Sequence, residues 1–541
     1  MLLIISMLGG CSKIPDKPLP ETGEATNESS EGTESSEAPD IHEERDTVNY
    51  DIDPEDAFIK LNAEGGQFDG IVRSEGEYDG SGYIVLDEGM KFVHIADLPS
   101  SQHYRIILAA HSYVDAAISL STGEGETATY YIPAEESMEF SLYAVDSIYL
   151  KEGPAILTFE VKKGSVSLDY ILIENSTAVP ETCYKTAVSV VGKNTGVHTI
   201  STMKFFSDSY GKRILTAQNV TPGTNAEIDA IYAETGRYPA MRCGDVMYSS
   251  RFADEEYAEI AEKEVELALQ WGRDGGIISM GWHWYSPLKY GSDLYSAATM
   301  FDLGAAVTDR DIATASIEEI EGMYTSEMIS ENCLLLIQDI DHMAETLLRF
   351  KQEQLTVIWQ PLPDGDSDLY WWGGNAESYK WLWQLMFRRM NEYHGLNNLI
   401  WVWNGTDPEY YPGDKVCDIY GQSLFSSTSA SYASRFAAIA HLSDTDTKAV
   451  AITSCDTLQD TDLLKRDNAM WLWIAPASGS YIIDESGALS EQHTSWQRLN
   501  DVYNARICIT RDELPDMSTY GIQYLQGTEE AAEIMETTET Q

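Results

Sequence analysis

Between residue 47 and about residue 176 the chain is divided into short runs in which apolar and polar positions alternate. They read "SGYIVLD", "KFVHIADL", "YRIILAAH", "MEFSLYAV", "AILTFEVKKG" and "VSLDYILIEN", with Gly, Asp and Ser between them. A period of two marks a strand with one buried face. So many short strands between turn signals predict an all-β sandwich of the jelly-roll kind over 47–176. From 180 to 526 the pattern changes. Continuous apolar runs such as "GGIISMGWHW", "LTVIWQPL", "NLIWVWNG" and "KAVAITSCD" alternate with helical stretches such as "EEYAEIAEKEVELALQWGRD" and "ESYKWLWQLMFRRMNEYHG". Strand then helix, repeated over about 350 residues, predicts a parallel sheet closed into a (β/α)8 TIM barrel. The expected fold class is α/β, a barrel preceded by the sandwich.

Reactive groups of such barrels sit at the C-terminal ends of the strands. The apolar runs place Trp282, His283, Trp284, Asp364, Trp403, Asn404 and Asp456 there. The stretch "TVIWQPLPDGDSDLYWWGG" (356–374) sets Asp364 beside Tyr370, Trp371 and Trp372. A carboxylate next to flat aromatic rings suits a site that holds sugar. The first unit shows no His–Ser–acid or thiol constellation, so catalysis is not expected from it.

The ends of the chain bear on its location. "LLIISMLGGCSK" is a short apolar run closing on small residues and Cys11, and it resembles a bacterial lipoprotein signal cleaved before a lipidated cysteine. Residues 1–11 are therefore expected to be a signal and Cys11 a lipid anchor on the extracellular face of the cytoplasmic membrane. Residues 12–46, rich in Glu, Ser, Thr and Pro, read as a disordered acidic linker, and 527–541 as an acidic tail. The formal charge of -53, from 88 acidic and 35 basic residues, argues against nucleic acid and anionic membrane surfaces as partners. Six further cysteines, with no metal spacing, read as buried thiols.

Against this background the second unit resembles glycoside hydrolase family 26, mainly retaining endo-β-mannanases. The resemblance rests on "GKRILTAQN", "YPAMRCGDVM", "GIISMGWHWYSP", "YWWGG", "LWQLMFRRM", "NLIWVWNG", "YYPGDKVCDIYG" and "WLWIAP", in that order. "NAEGGQFDG", "YDGSGYIVL" and "GSVSLDYILIE" make the first unit similar to carbohydrate-binding modules of families 35 and 6. That likeness implies a structural calcium held in part by Glu64 and Asp169, hard oxygen ligands of the kind calcium takes. No cofactor is implied for the barrel.

Retaining glycosidases need two carboxylates about 5–5.5 Å apart. The family's acid/base closes an Arg-Pro-Leu-His-Glu motif nine residues before the Gly of Trp-Trp-Gly; here that slot reads Gln360, Pro361, Leu362, Pro363, Asp364, with Gly373 nine residues on. The nucleophile slot, a Thr-Glu or Ser-Glu step on strand seven, holds Ser454, and the supporting tyrosine of strand six is Phe425. The resemblance thus implies a β-mannan or related glycan as partner and a cleft lined by Trp282, His283, Trp284, Tyr370, Trp371, Trp372, Trp403, Trp471 and Trp473. It also implies chemistry impaired at Asp364 and Ser454. The alternative is an active hydrolase in which Asp456, two residues past Ser454 and so on the same side of a continuing strand, pairs with Asp364 across the wider gap of an inverting enzyme.

Overall fold

The computed structural model describes residues 58–186, 188–442 and 448–521. Cys11, the linker 12–46 and the tail 527–541 lie outside the described residues. The N-terminal strands form two antiparallel sheets. One runs in the order Ile71–Arg73, Tyr83–Asp87, Ser165–Asn175, Gln102–His111, Ser141–Leu150, with Ile59–Asn62 also paired to Ser165–Asn175. The other runs Gln67–Phe68, Lys91–Leu98, Gly153–Lys163, Ala116–Thr122, Thr127–Ile132. Alternation sets the faces: Ala128, Tyr130 and Ile132 are buried while Thr127, Thr129 and Tyr131 are half-buried. Ile84, Leu86, Ile106 and Leu108 of one sheet share a core with Phe92, Ile118, Leu120 and Phe159 of the other.

Eight parallel strands follow: β1 (Ile214–Asn219), β2 (Met241–Asp245), β3 (Ile277–Trp282), β4 (Val357–Pro361), β5 (Leu399–Asn404), β6 (Ile419–Leu424), β7 (Ala449–Cys455) and β8 (Trp473–Pro476). Each pairs with its successor, and β1 pairs with both β2 and β8, so the sheet closes into a barrel. Helices cover the outside. Ala258–Arg273 buries Val265, Ala268, Leu269 and Trp271 on one stripe. Glu331–Gln352 starts at Ser330, whose side chain accepts from the Cys333 N–H. The cysteines from Cys183 to Cys508 are free and buried.

A buried ionic group docks the sandwich on the barrel. Nε2 of His103, in the sandwich, lies 2.7 Å from Oδ1 of Asp467, in the barrel. Arg466 donates to both oxygens of that carboxylate, at 2.5 and 2.7 Å, and Ser431 Oγ donates to Oδ2. The Arg466 guanidinium sits 3.6 Å over the Tyr149 ring of the sandwich. Burial alone would raise the Asp467 pKa, but His103 and Arg466 outweigh it and hold the carboxyl at about 2. Tyr131 Oη donates to the Thr406 carbonyl, and Lys163 pairs with Glu409 at 2.5 Å, so the sandwich also reaches the loop after β5.

Candidate active site

The C-terminal ends of the barrel strands surround a cleft of about 340 Å3. Asp245 from the end of β2, His283 after β3, Asp364 and Tyr370 after β4, Asn404 from β5, Ser423 from β6 and Ser454 from β7 all line it. Its carboxylates are Asp245 and Asp364.

Asp364 is brought there by an unusual turn. Leu362 and Asp364 both adopt left-handed backbone, with φ of +52° and +50°, on either side of Pro363. Such residues cost about 1–2 kcal/mol each and concentrate at functional sites. The Asp364 N–H donates to the Asn404 carbonyl at 3.1 Å. Ser423 Oγ lies 3.1 and 3.3 Å from the two carboxyl oxygens, and Asn404 Nδ2 donates to Ser423 Oγ at 3.0 Å. Two residues on, Asp366 Oδ2 accepts from Thr406 N, Thr406 Oγ and Asp407 N at 2.6, 2.8 and 2.8 Å, pinning the β4 loop to the β5 loop. Burial, and then the negative charge of Asp366, push the Asp364 carboxyl up to about 6 against the pull of Ser423 and His283. Below about pH 6 most of this group is protonated and can give a proton.

His283 is oriented by Asp245. Its Nδ1 lies 2.6 Å from Asp245 Oδ2, and its backbone N–H donates to Oδ1 at 3.3 Å. Asp245 Oδ1 also accepts from the Met247 N–H at 2.8 Å. Burial lowers the imidazole pKa, but the charge and hydrogen bond of Asp245 and the charge of Asp364 more than reverse that, so the ring is held above its usual value. Tyr370 meets the His283 ring edge-on at 5.6 Å and stacks on Trp372 at 4.5 Å and 8°.

Ser454 is half-buried and registered beside Ser423, the residue that bonds Asp364. Asp456 departs from expectation. Strand β7 ends at Cys455, so the period of two stops one residue short of Asp456. Its Oδ2 accepts from Ser427 N at 2.7 Å and Ser427 Oγ at 3.3 Å, bracing the loop after β6, and it does not line the cleft. A pair of Asp364 with Asp456 is thereby overturned.

The tryptophans require a second correction. His283 and Tyr370 line the cleft, but Trp282, Trp284, Trp371, Trp372, Trp403, Trp471 and Trp473 do not. Trp371 is 4% exposed and the others 1% or less. On β5 the lumen position is Asn404, so Trp403 points outward onto Tyr411 at 5.3 Å, and Trp401 onto Phe387 of the helix Ala376–Arg388 at 5.1 Å. Trp473 packs on Phe206 and Trp471 on Phe436, both from covering helices. Trp282 stacks on Trp284 at 4.1 Å, while Trp371 and Trp372 donate to the carbonyls of Trp284 and Pro363. These side chains form the wall behind the cleft rather than its surface.

In the sandwich, Glu64 and Asp169 come together with the segment Asp79–Ser81. Both Asp169 oxygens accept from the Asp79 N–H, at 3.1 and 3.0 Å, and Glu64 Oε1 accepts from Ser81 N and Oγ at 2.7 and 2.9 Å. Glu64 Oε2 is buried without a hydrogen-bond partner. Burial, and next the Glu64 charge, raise the Asp169 carboxyl to about 7. Two crowded carboxylates with an unsatisfied oxygen fit a hard cation. Among the described residues no set of three or more His, Cys, Asp or Glu is arranged for a metal, so carbonyl or amide oxygens would have to complete the shell.

Asp245, Asp366 and Ser423 were not singled out from the sequence. Asp245 stands at a strand end within "YPAMRCGDVM", a position that signals a lumen-facing group, but its partner His283 lies 38 residues on. Asp366 and Ser423 carry no local signal.

The profile of glycosyl hydrolase family 26 matches residues 191–513. A mannan endo-1,4-beta-mannosidase of Thermothelomyces thermophilus is 26% identical over 449 residues, spanning 81% of this chain and 86% of the relative. Mannan endo-1,4-beta-mannosidase B of a Piromyces species is 26% identical over 487 residues, spanning 87% and 79%. Among solved structures, a Podospora anserina GH26-CBM35 beta-(1,4)-mannanase superposes with a TM-score of 0.55 at 24% identity, over 85% of this chain and 99% of that one. A ruminal GH26 endo-beta-1,4-mannanase gives 0.59 at 19% identity, over 84% and 98%. These structures share the fold. The family profile covers more than half of the chain and spans every strand of the barrel, and the protein belongs to glycosyl hydrolase family 26.

Proposed function

We propose that this protein is a β-mannan-directed protein whose barrel binds the glycan, or a related one, with little or no hydrolysis. What supports this is Ser454: it is registered beside Ser423, whose hydroxyl bonds Asp364, and on the family resemblance it stands in the slot where a retaining enzyme would have its carboxylate nucleophile. A hydroxyl brings no negative charge to an oxocarbenium-like transition state. The remaining cleft carboxylate, Asp245, is engaged by His283 and Met247, and Asp456 by Ser427. Relatives named as mannan endo-1,4-beta-mannosidases support mannan as the polymer. In affinity electrophoresis the protein should be retarded by β-mannan while releasing no reducing ends from it; efficient release would sink the non-hydrolytic reading.

The sandwich, on this proposal, is a carbohydrate-binding module similar to families 35 and 6. Superposition of the Podospora anserina GH26-CBM35 mannanase over a span longer than the barrel supports it. Glu64 and Asp169 would hold a structural calcium, which would relieve the repulsion that raises Asp169. Adding calcium to chelator-treated protein should raise Tm by about 5 °C at saturating ion, and Asp169→Ala should abolish the gain; an unchanged Tm would remove calcium from the account. Lipidation at Cys11 would hold the protein on the extracellular face of the membrane, where an acidic surface and a neutral polysaccharide partner are compatible.

A further inference from the structure

With the tryptophans sealed behind the wall, the cleft offers a different aromatic surface. Phe425, directly after β6, lines the cleft with 53% of its surface exposed. It is braced: Tyr481, after β8, meets its ring at 5.7 Å and 69°, and His493 backs Tyr481 at 4.6 Å. A ring held by a neighbouring aromatic and half exposed in the cleft is a surface a ligand can cover. The cleft itself, about 340 Å3, lies near the lower end of ligand pockets, roughly 300–1,000 Å3. It encloses a short stretch of a polymer, and the chain must continue over the rim.

We infer that Phe425, braced by Tyr481, is a stacking platform for a sugar ring of the bound glycan at the β6 end of the cleft. The inference rests on the reading of the cleft as a β-mannan site and names the surface that replaces the buried tryptophans. A pyranose presents a face of C–H groups, and the flat face of Phe425 is the apolar counterpart left open to it. The hydroxyl that a tyrosine would carry here is absent, so the contribution is stacking rather than hydrogen bonding.

The test is titration of the full chain with manno-oligosaccharides and affinity electrophoresis on glucomannan, using wild type, Phe425→Ala, Phe425→Trp and Tyr290→Ala. Tyr290 is 81% exposed and outside the cleft lining, and serves as the surface control. Phe425→Ala should weaken binding about tenfold, Phe425→Trp should bind at least as tightly as wild type, and Tyr290→Ala should be unchanged. Because Phe425 is half in solvent, its truncation opens no core cavity, and thermal unfolding of the variant should match wild type. Wild-type binding that Phe425→Ala leaves intact would overturn the platform alone. A wild type that binds neither mannan nor glucomannan would overturn the reading of the cleft, and the platform with it.

Discussion

A Ser454→Glu, Asp364→Glu double variant is expected to release reducing ends from β-mannan at least about a hundredfold faster than wild type. Ser454 sits in register with Ser423, whose hydroxyl reaches the Asp364 carboxyl at 3.1 Å, so the two positions border the same small space. A glutamate at 454 supplies the oxygen that attacks the anomeric carbon while the bond to the leaving oxygen breaks. An acid at 364 gives that oxygen its proton, and water then cleaves the glycosyl ester. The environment at 364 already raises the carboxyl toward an acid's range, to about 6, through burial and Asp366. The extra methylene of glutamate adds roughly the 1 Å of reach that is worth about a hundredfold in a positioned reaction. Both side chains are half-buried at the cleft, so the added atoms enter the cleft rather than the core. Each single variant should stay near the wild-type rate, since the two carboxylates act together. A double variant that still binds mannan and releases nothing would show that the nucleophile slot lies elsewhere.

Asp467→Ala should destabilise the protein by about 1–3 kcal/mol, because it removes a buried carboxylate that Arg466, His103 and Ser431 share and leaves their polar groups unpaired. The Asp467 side chain has no exposed surface and is the shared acceptor of Arg466, His103 and Ser431. Removing it strands the Arg466 guanidinium against Tyr149 and breaks the ionic link between sandwich and barrel. The pH dependence has a definite sign. The folded-state pKa, about 2, lies below the ordinary aspartate value near 3.9. Its contribution is therefore complete above about pH 4 and is lost as pH falls through about 2. At about 1.4 kcal/mol per pKa unit the acid limb is worth roughly 2–3 kcal/mol. Urea unfolding between pH 2 and 6 should show this limb in wild type and not in Asp467→Asn, which keeps the shape but not the charge. Equal stability of Asp467→Ala and wild type, with the same acid limb, would mean that the ionic group does not secure the interface.

How much of this was legible in the chain depends on the range of the interaction concerned. Alternation of period two in "TATYYI" and the apolar stripe of "EEYAEIAEKEVELALQWGRD" are local, so sandwich strands and barrel helices could be read directly. The strand ends were legible for the same reason, and with them His283, Asp364 and Asn404 as residues facing one cleft, whereas Ser454 came only from the family resemblance. The side of the wall on which each tryptophan falls was not. Period two separates Asn404 from Trp403, but only closure of the sheet and the placing of helices outside it decide that Asn404 faces the lumen. Asp456 shows the same limit at a strand end, since β7 stops at Cys455 and the next carboxylate turns to Ser427.

The amino-acid sequence by itself determined the two architectures and their order along the chain, because periodicity is a property of neighbours along the chain. The tertiary structure alone decided that Asp245 orients His283, that Asp366 pins the loop carrying Asp364, and that Phe425 lines the cleft while Trp282, Trp372 and Trp403 do not. Those outcomes depend on groups tens of residues apart meeting across a closed sheet, where burial and hydrogen-bond geometry, not sequence spacing, select the partners.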